Sequence, residues 1–279
     1  MNALEHRWLQ SMFCRVAVVA LVTSGTCSAD EPPAAGSKVS PPLIRPAPAD
    51  ARELAEIRER MVTRQIQQPL DGRTPVRSEG VCAAMRAVPR HAFVPAHLRG
   101  QAYADSPLPI GHDQTISQPY IVALMTELLE LTPESKVLEV GTGSGYQAAV
   151  LAHLTPHVYT IEIVEPLAER AARILRELGY DSIQCRRGDG YLGWPEHAPF
   201  DAVIVTCAAD DIPPPLWAQL KPGGRMVIPV GEADAVQQLV VIRKTEDGER
   251  RSRTVIPVRF VPLTREPHDD DSPTGDRDD

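Results

Sequence analysis

With 279 residues, 43% of them hydrophobic, the chain can bury the core of one large α/β domain with additions, or of two small domains. Its formal net charge is −8. The stretch from Pro267 onward holds six Asp and one Arg and so carries −5 of that, which leaves −3 for the body, a poor electrostatic match for nucleic acid.

The first thirty residues read as a targeting segment. Arg7 and Arg15 precede the apolar run Val16 to Val22, and Cys27-Ser28-Ala29 is a plausible cleavage site before Asp30. The run is too short to span a bilayer. Either residues 1–29 direct export, or they stand ahead of a misassigned start. Residues 30–50, rich in Pro, Ala and Ser, look like a linker to a folded domain over 51–266. The tail, 267–279, is acidic, poor in apolar residues and expected to be disordered. Outside the leader the cysteines are Cys82, Cys185 and Cys207. They make no disulfide framework or C-x-x-C pair, and each reads as a small buried apolar residue. No histidine pair has a metal-ligand spacing, so no metal is expected.

Residues 51–68 read as a helix with Leu54, Ile57, Met61 and Ile66 on its apolar stripe. DGRTP at 71–75 signals a turn, and 78–88 a second helix carrying Val81, Met85 and Val88. In PRHAFVP, 89–95, Arg90 and His91 read as surface or capping groups. Over 103–131, prolines 107, 109 and 119 and Gly111 predict an ordered loop that gives way to an amphipathic helix from about Tyr120. The polar group Gln114, Thr115, Ser117 and Gln118, directly before a helix start, suits a carboxylate. Alternatively Ser117 caps that helix, with Pro119 in its first turn; the two readings are compatible.

Then comes VLEVGTGSGYQAA, 137–149: an apolar strand, the turn Gly141-Thr142-Gly143-Ser144-Gly145, and a helix from Tyr146. Glycines there let the backbone turn tightly and approach a ligand. The spacing is G-x-G-x-G, not the G-x-G-x-x-G of dinucleotide binders, and it suits S-adenosylmethionine, which has no phosphate. A second strand, Val158 to Ile161, ends on Glu162, an acid placed to take two ribose hydroxyls. A helix from Pro166 to Leu178 stops at Gly179. A third strand, Ser182 to Arg186, leads to Gly188-Asp189-Gly190, where Asp189 either meets an adenine amino group or sits in a plain turn. Phe200 to Val205 reads as a central strand. A short helix over 216–220 and a KPGG turn at 221–224 precede a strand over 225–229. Further strands are expected over 237–243 and 254–262. Strands alternating with helices imply an α/β fold, a parallel Rossmann-like sheet with helices on both faces. The N-terminal helices add to it, and the last strands form an antiparallel edge. The segments 141–145, 162 and 188–190 then share one carboxyl edge, where such sheets bind ligands.

Several segments together resemble the protein-L-isoaspartate O-methyltransferase family: AMRAVPRHAFVP, PLPIGHDQTISQPYIVALMTELLEL, VLEVGTGSGYQAAVLA, GDGYLGWPEHAPFDAVIVT, LKPGGRMVIPVG and FVPLTRE. The likeness runs from about Met61 to Glu266, and QTISQPY is its most particular motif. It implies methyl transfer from S-adenosylmethionine to the free α-carboxyl of L-isoaspartyl residues, and of D-aspartyl residues, in damaged proteins. Nonenzymatic succinimide closure of the ester would follow. It also implies an active-site Ser117 flanked by substrate contacts at Thr115, Ile116 and Gln118, with Thr264 closing the pocket. The cofactor would lie along Gly141, Thr142, Gly143, Ser144 and Gly145, with Glu162 at the ribose and Asp189 and Gly190 at the adenine. A monomer working in the cytoplasm, without nucleic acid or stable membrane association, is expected; export through residues 1–29 is the alternative. The connection from Gln65 to Val81 is longer than usual for the family, and VTCAADDIP at 205–213 departs from its pattern at Cys207 and Asp210. A methyltransferase for another carboxylate or a small molecule is the runner-up. A noncatalytic cofactor-binding module is disfavoured by the intact QTISQPY. A serine-hydrolase elbow would need glycines at 142 and 146, where Thr142 and Tyr146 stand.

Overall fold

The computed structural model describes residues 51–266; the expected leader, linker and acidic tail lie outside the described residues. Helix α1, Ala51–Met61, runs on through a π-helical turn, Val62–Gln67, and buries Met61, Val62 and Ile66. Helix α2, Glu79–Ala87, starts at Ser78, whose Oγ accepts from the Val81 N–H, and buries Val81 and Met85 on one face.

The segment expected to be a loop before Tyr120 is instead a hairpin of β1, Leu108–Gly111, and β2, Gln114–Ile116. Its turn residues, His112 and Asp113, have φ of 54° and 57°. Two consecutive left-handed residues match the twist of a tight hairpin. Two prolines masked the strand signal, yet Leu108, Ile110 and Ile116 are all buried. Helix α3, Pro119–Leu129, follows directly.

The remaining elements alternate as expected: β3 Val137–Val140, α4 Tyr146–Ala152, β4 Val158–Glu162, α5 Glu165–Glu177, β5 Gln184–Arg187, β6 Phe200–Val205, α6 Pro214–Gln219, β7 Leu220–Val230, β8 Gln237–Lys244 and β9 Arg250–Val258. They form one seven-stranded sheet ordered β5-β4-β3-β6-β7-β8-β9. Strands β3 to β7 are parallel, and β8 and β9 add an antiparallel edge. KPGG is not a turn before the strand but lies within β7, where the register jumps from Phe200↔Leu220 to Ala202↔Arg225. Strand β9 begins at Arg250, not Thr254, because its arginine-rich start lies exposed at the sheet edge and carries no apolar signal.

Side chains alternate across the sheet. Val137, Ile204 and Val227 join the core shared with α1 to α5, while Leu138, Val203 and Met226 face the smaller core that holds Leu216 of α6. Cys82 and Cys207 are buried, but Cys185 is exposed on edge strand β5, against the expectation for it. No helix among the described residues is long and apolar enough to cross a membrane.

Candidate active site

The register brings three strand ends side by side. Val140 pairs with Ile161 on one flank and Val205 on the other, so Gly141, Glu162 and Thr206 begin their loops at one level. Strand β3 is also where the strand order reverses, the usual crevice for a ligand in an open α/β sheet. Gly141 N–H and Thr142 N–H donate to Ile161 O at 2.9 and 3.1 Å, which pins the start of the glycine loop to β4.

Gly141 has φ of 93°, and a Cβ there would stand 2.6 Å from Thr206 Oγ1. A Cβ on Gly190 would stand 2.5 Å from Val140 Cγ1. At both positions Thr206 and Val140 approach so closely that a side chain would collide with them, which requires glycine. Gly145 works differently: it faces Leu175 and Ala171 of α5 and lets that helix pack closely, and it does not line the cavity. Thr142 Oγ1 lies 2.6 Å from Thr160 Oγ1, and Ser144 Oγ accepts from the Tyr146 N–H at 3.3 Å.

Gly141, Thr142, Gly143, Ser144, Glu162, Gly190, Thr115, Ile116, Ser117 and Thr264 all line one cavity. Asp189 does not line it. Its carboxylate accepts from the Tyr191 N–H at 2.8 Å and the Glu266 N–H at 3.4 Å, which ties the turn after β5 to the last described residue. Cys207 lines the cavity, its thiol pushed up by burial and then by Glu162, whereas Asp210 is exposed outside it. Among the described residues, no group of three or more His, Cys, Asp or Glu side chains comes together to hold a metal ion.

Glu139 also lines the cavity, although its stretch, Val137–Val140, has the sequence pattern of an apolar strand. It is fully buried, both carboxylate oxygens are left without a normal hydrogen bond, and it faces the cavity. Burial pushes its pKa up to about 8; Thr160 pulls it back and Glu162 pushes it further. Its signal was an acid at an inward strand position, where an apolar residue is the rule. Glu139 and Glu162 are the only charged residues lining this cavity among those described.

Ser117 lies between β2 and α3. The hairpin before it folds over the glycine loop: Ile110 Cδ1 lies 3.5 Å from where a Gly143 Cβ would be, and Arg170 Nη2 donates to Ile110 O at 2.6 Å. The N-cap of α3 is Gln118, with no side-chain cap bond, so the capping reading of Ser117 fails. Gln118 Nε2 donates to Asp105 Oδ1 at 2.9 Å. Asp105 in turn pairs with Arg73, whose guanidinium lies 4.4 Å over the Tyr120 ring. The long 65–81 connection thereby props the start of α3. Ser117 itself is half-buried, and its hydroxyl makes no hydrogen bond among the described residues. It lines both the cavity and a second groove that also takes in Thr115, Gln118, Thr206 and Val261.

Arg90 and His91 depart from the surface reading. His91 is half-buried, with Nδ1 2.7 Å from Tyr103 Oη, and burial followed by Arg58 and Arg99 lowers its pKa. Arg90 is wholly buried, and burial lowers its pKa to about 10. Its Nε donates to Ala102 O at 2.7 Å, and its guanidinium lies 4.9 Å from the Tyr146 ring centre. Phe93 meets the same ring edge-on at 5.7 Å. A 3₁₀ turn, Arg90–Phe93, therefore buttresses the residue that opens α4 and lines the cavity.

The protein-family model for protein-L-isoaspartate(D-aspartate) O-methyltransferase (PCMT) matches residues 62–268. A protein-L-isoaspartate O-methyltransferase 2 of Polaromonas sp. is 63% identical over 190 residues, 68% of this chain and 90% of that one. A relative of the same name in Syntrophobacter fumaroxidans is 51% identical over 252 residues, 90% of this chain and 96% of its own. Among solved structures, a protein-L-isoaspartate O-methyltransferase superposes with a TM-score of 0.61 at 29% identity, covering 67% of this chain and 62% of that one. A Plasmodium falciparum structure that carries the PCMT name, solved with S-adenosyl-L-homocysteine, shares the fold with a TM-score of 0.60 at 24% identity, covering 77% of this chain and 98% of that one. A match spanning most of the chain, on a cavity built from a glycine loop, two carboxylates and the QTISQPY segment, means that the chain belongs to the protein-L-isoaspartate(D-aspartate) O-methyltransferase family.

Proposed function

We propose that residues 51–266 form a repair enzyme that methylates the free α-carboxyl of L-isoaspartyl residues in damaged proteins, with S-adenosylmethionine as donor. D-aspartyl residues are the second acceptor implied by the family. The observation that carries this reading is the place of Ser117, on the rim common to the glycine-loop cavity and the adjoining groove.

The residues fit the cofactor. Gly141 and Gly190 bring bare backbone to the cavity wall, which suits a flat, closely held nucleoside, and the carboxylate of Glu139, without a hydrogen-bond partner, suits a cation. When bound, the cofactor supplies a methyl group on a sulfonium. Glu162 is assigned to the ribose hydroxyls, with Thr142, Gly143 and Ser144 along the loop. Gly190 flanks the adenine end. Asp189 is assigned to that end as well, through the turn that it caps. Gly145 acts by seating α4 on α5.

The acceptor carboxylate has an ordinary pKa near about 3.5 and is ionised at neutral pH, so no general base is required. No histidine lines the cavity among the described residues. What remains is alignment, which contributes up to roughly 7–11 kcal/mol in well-oriented pairs. Ser117 offers one neutral donor, able to orient the carboxylate without the strong pairing that would quench its attack. Thr115, Ile116 and Gln118 hold the peptide beside it, and Thr264 closes the cavity from the C-terminal segment. That segment is anchored where Leu263 N–H donates to Ala208 O at 2.7 Å. All of this lies within one chain, so a monomer suffices for the site. The cofactor's site of synthesis supports work in the cytoplasm; a reporter fused to residues 1–29 and active only outside it would overturn that placement.

The decisive assay supplies labelled S-adenosylmethionine with paired peptides that differ only in an aspartyl or isoaspartyl link. Base-labile label on the isoaspartyl peptide alone is expected. Label on neither peptide, with a small-molecule carboxylate accepted instead, would favour the runner-up.

A further inference from the structure

The cavity and the groove that meet at Ser117 carry opposite charge. The charged residues lining the cavity are Glu139 and Glu162. Among the described residues lining the groove the one charged side chain is Arg259, just beyond β9. Some arginines elsewhere, such as Arg186, Arg187 and Arg225, meet a carboxylate. Arg259 is exposed and has no ion-pair partner among the described residues. The rest of the groove wall is uncharged: Thr115, Ser117, Gln118 and Thr206 are polar, and Pro107, Ile121, Phe260 and Val236, the last 48% exposed, are apolar.

From this charge separation, and resting on the function proposed above, we infer that Arg259 selects isoaspartyl peptides carrying an acidic side chain next to the damaged residue. The groove opens from Ser117, so a peptide whose acceptor carboxylate lies at that serine runs its neighbouring residues past Arg259. The uncharged wall takes extended backbone and neighbouring side chains without preference for sign. A guanidinium with no internal partner gives the groove its sign: it attracts a neighbouring Asp or Glu and repels Lys or Arg. Arg259 is not assigned to the acceptor carboxylate. Two such charges paired there would hold the nucleophile back from the methyl group, and the effect would be the same for every substrate.

The test uses isoaspartyl peptides identical except for Glu, Gln or Lys on one or the other side of the isoaspartyl residue, and compares kcat/KM ratios. An exposed pair contributes modestly, so the wild-type enzyme is expected to favour Glu over Lys by about threefold to fivefold at low salt. That ratio should shrink toward one as salt screens the pair. It should likewise flatten in Arg259→Gln and invert in Arg259→Glu, with thermal melts matching the wild type. A preference that survives Arg259→Gln overturns the inference, as does an equal loss on all peptides. Methylation without any charge preference overturns it while leaving the enzyme reading intact. A protein that binds S-adenosylmethionine but methylates no isoaspartyl peptide overturns both.

Discussion

Gly143 N–H donates a 2.7 Å hydrogen bond to Glu162 Oε2, and Val164 N–H donates to Glu162 Oε1 at 3.0 Å. The acid at the end of β4 thus braces the glycine loop at the end of β3. A single carboxylate holds the loop in shape and presents its remaining lone pairs to the cavity.

Glu162→Ala therefore removes a loop brace and a cofactor contact together. Losing such charge-assisted bonds should weaken S-adenosylmethionine binding by about 1.5–3 kcal/mol. Calorimetric titration reads this directly. Glu162→Gln keeps one acceptor oxygen and is expected to fall between. Full affinity in a folded alanine variant would remove Glu162 from the site.

Ser117→Ala tests positioning. Because Gln118 occupies the cap position and Ser117 makes no internal hydrogen bond, the melting temperature should hold. Cofactor affinity should also hold, while turnover of an isoaspartyl peptide drops by about tenfold to a hundredfold, the loss of one positioned hydrogen bond. Ser117→Thr should keep part of the activity if the added methyl fits. Full turnover in the alanine variant, or a methylated Ser117 trapped during the reaction, would refute the role.

Glu139 gives the cofactor site a pH dependence. Its carboxyl is raised from 4.5 to about 8, so its contribution to the stability of the ligand-free protein is present below 4.5 and lost as pH rises through about 8. A cation brought beside it favours the ionised form. Below about pH 8 binding should then release a proton, and S-adenosylmethionine affinity should rise between about pH 6 and about pH 8. Titrations in buffers of different ionisation heat measure the proton count. Glu139→Gln should bring that count toward zero; a count unchanged in the variant would assign the proton elsewhere.

Arg90 is a buried cation whose Nη1 and Nη2 have no hydrogen-bond partner in the structure. A charge held this way contributes little net stability, and an apolar chain of similar volume can replace it. Arg90→Met should stay within about 1 kcal/mol of the wild type by denaturant melt. Arg90→Ala, which leaves a void beneath Tyr146, should cost about 2–4 kcal/mol. A methionine variant as damaged as the alanine one would mean that the charge itself, not the volume, holds the ring.

Much of the fold was legible in the chain because the signals were local. The apolar runs Val137–Val140, Val158–Ile161 and Phe200–Val205 are buried strands, and glycine punctuation set the turns between them. The hairpin over 108–116 was not legible: Pro107 and Pro109 argue against a strand, and its pairing is justified only by burial of Leu108, Ile110 and Ile116 beneath neighbouring elements. The arginine-rich start of β9 gave no strand pattern either, since an edge strand facing water need not alternate.

The parts of the site are written in local stretches of chain: a G-x-G-x-G turn after one strand, an acid at the end of the next, and a polar QTISQ segment ahead of a proline-led helix. Each depends on residues adjacent in the chain. Which parts share a cavity depends on how the strands pack in space. Sheet register levels Gly141 with Glu162 and Thr206, while Gly145 turns toward α5 and Asp189 toward its own turn and Glu266. Packing also decides the charges: Glu139 and Arg90 are buried, and Arg259 stands alone in a groove. Burial and pairing are properties of a side chain's neighbours, which come from distant stretches of chain, and spacing along the sequence carries no record of them.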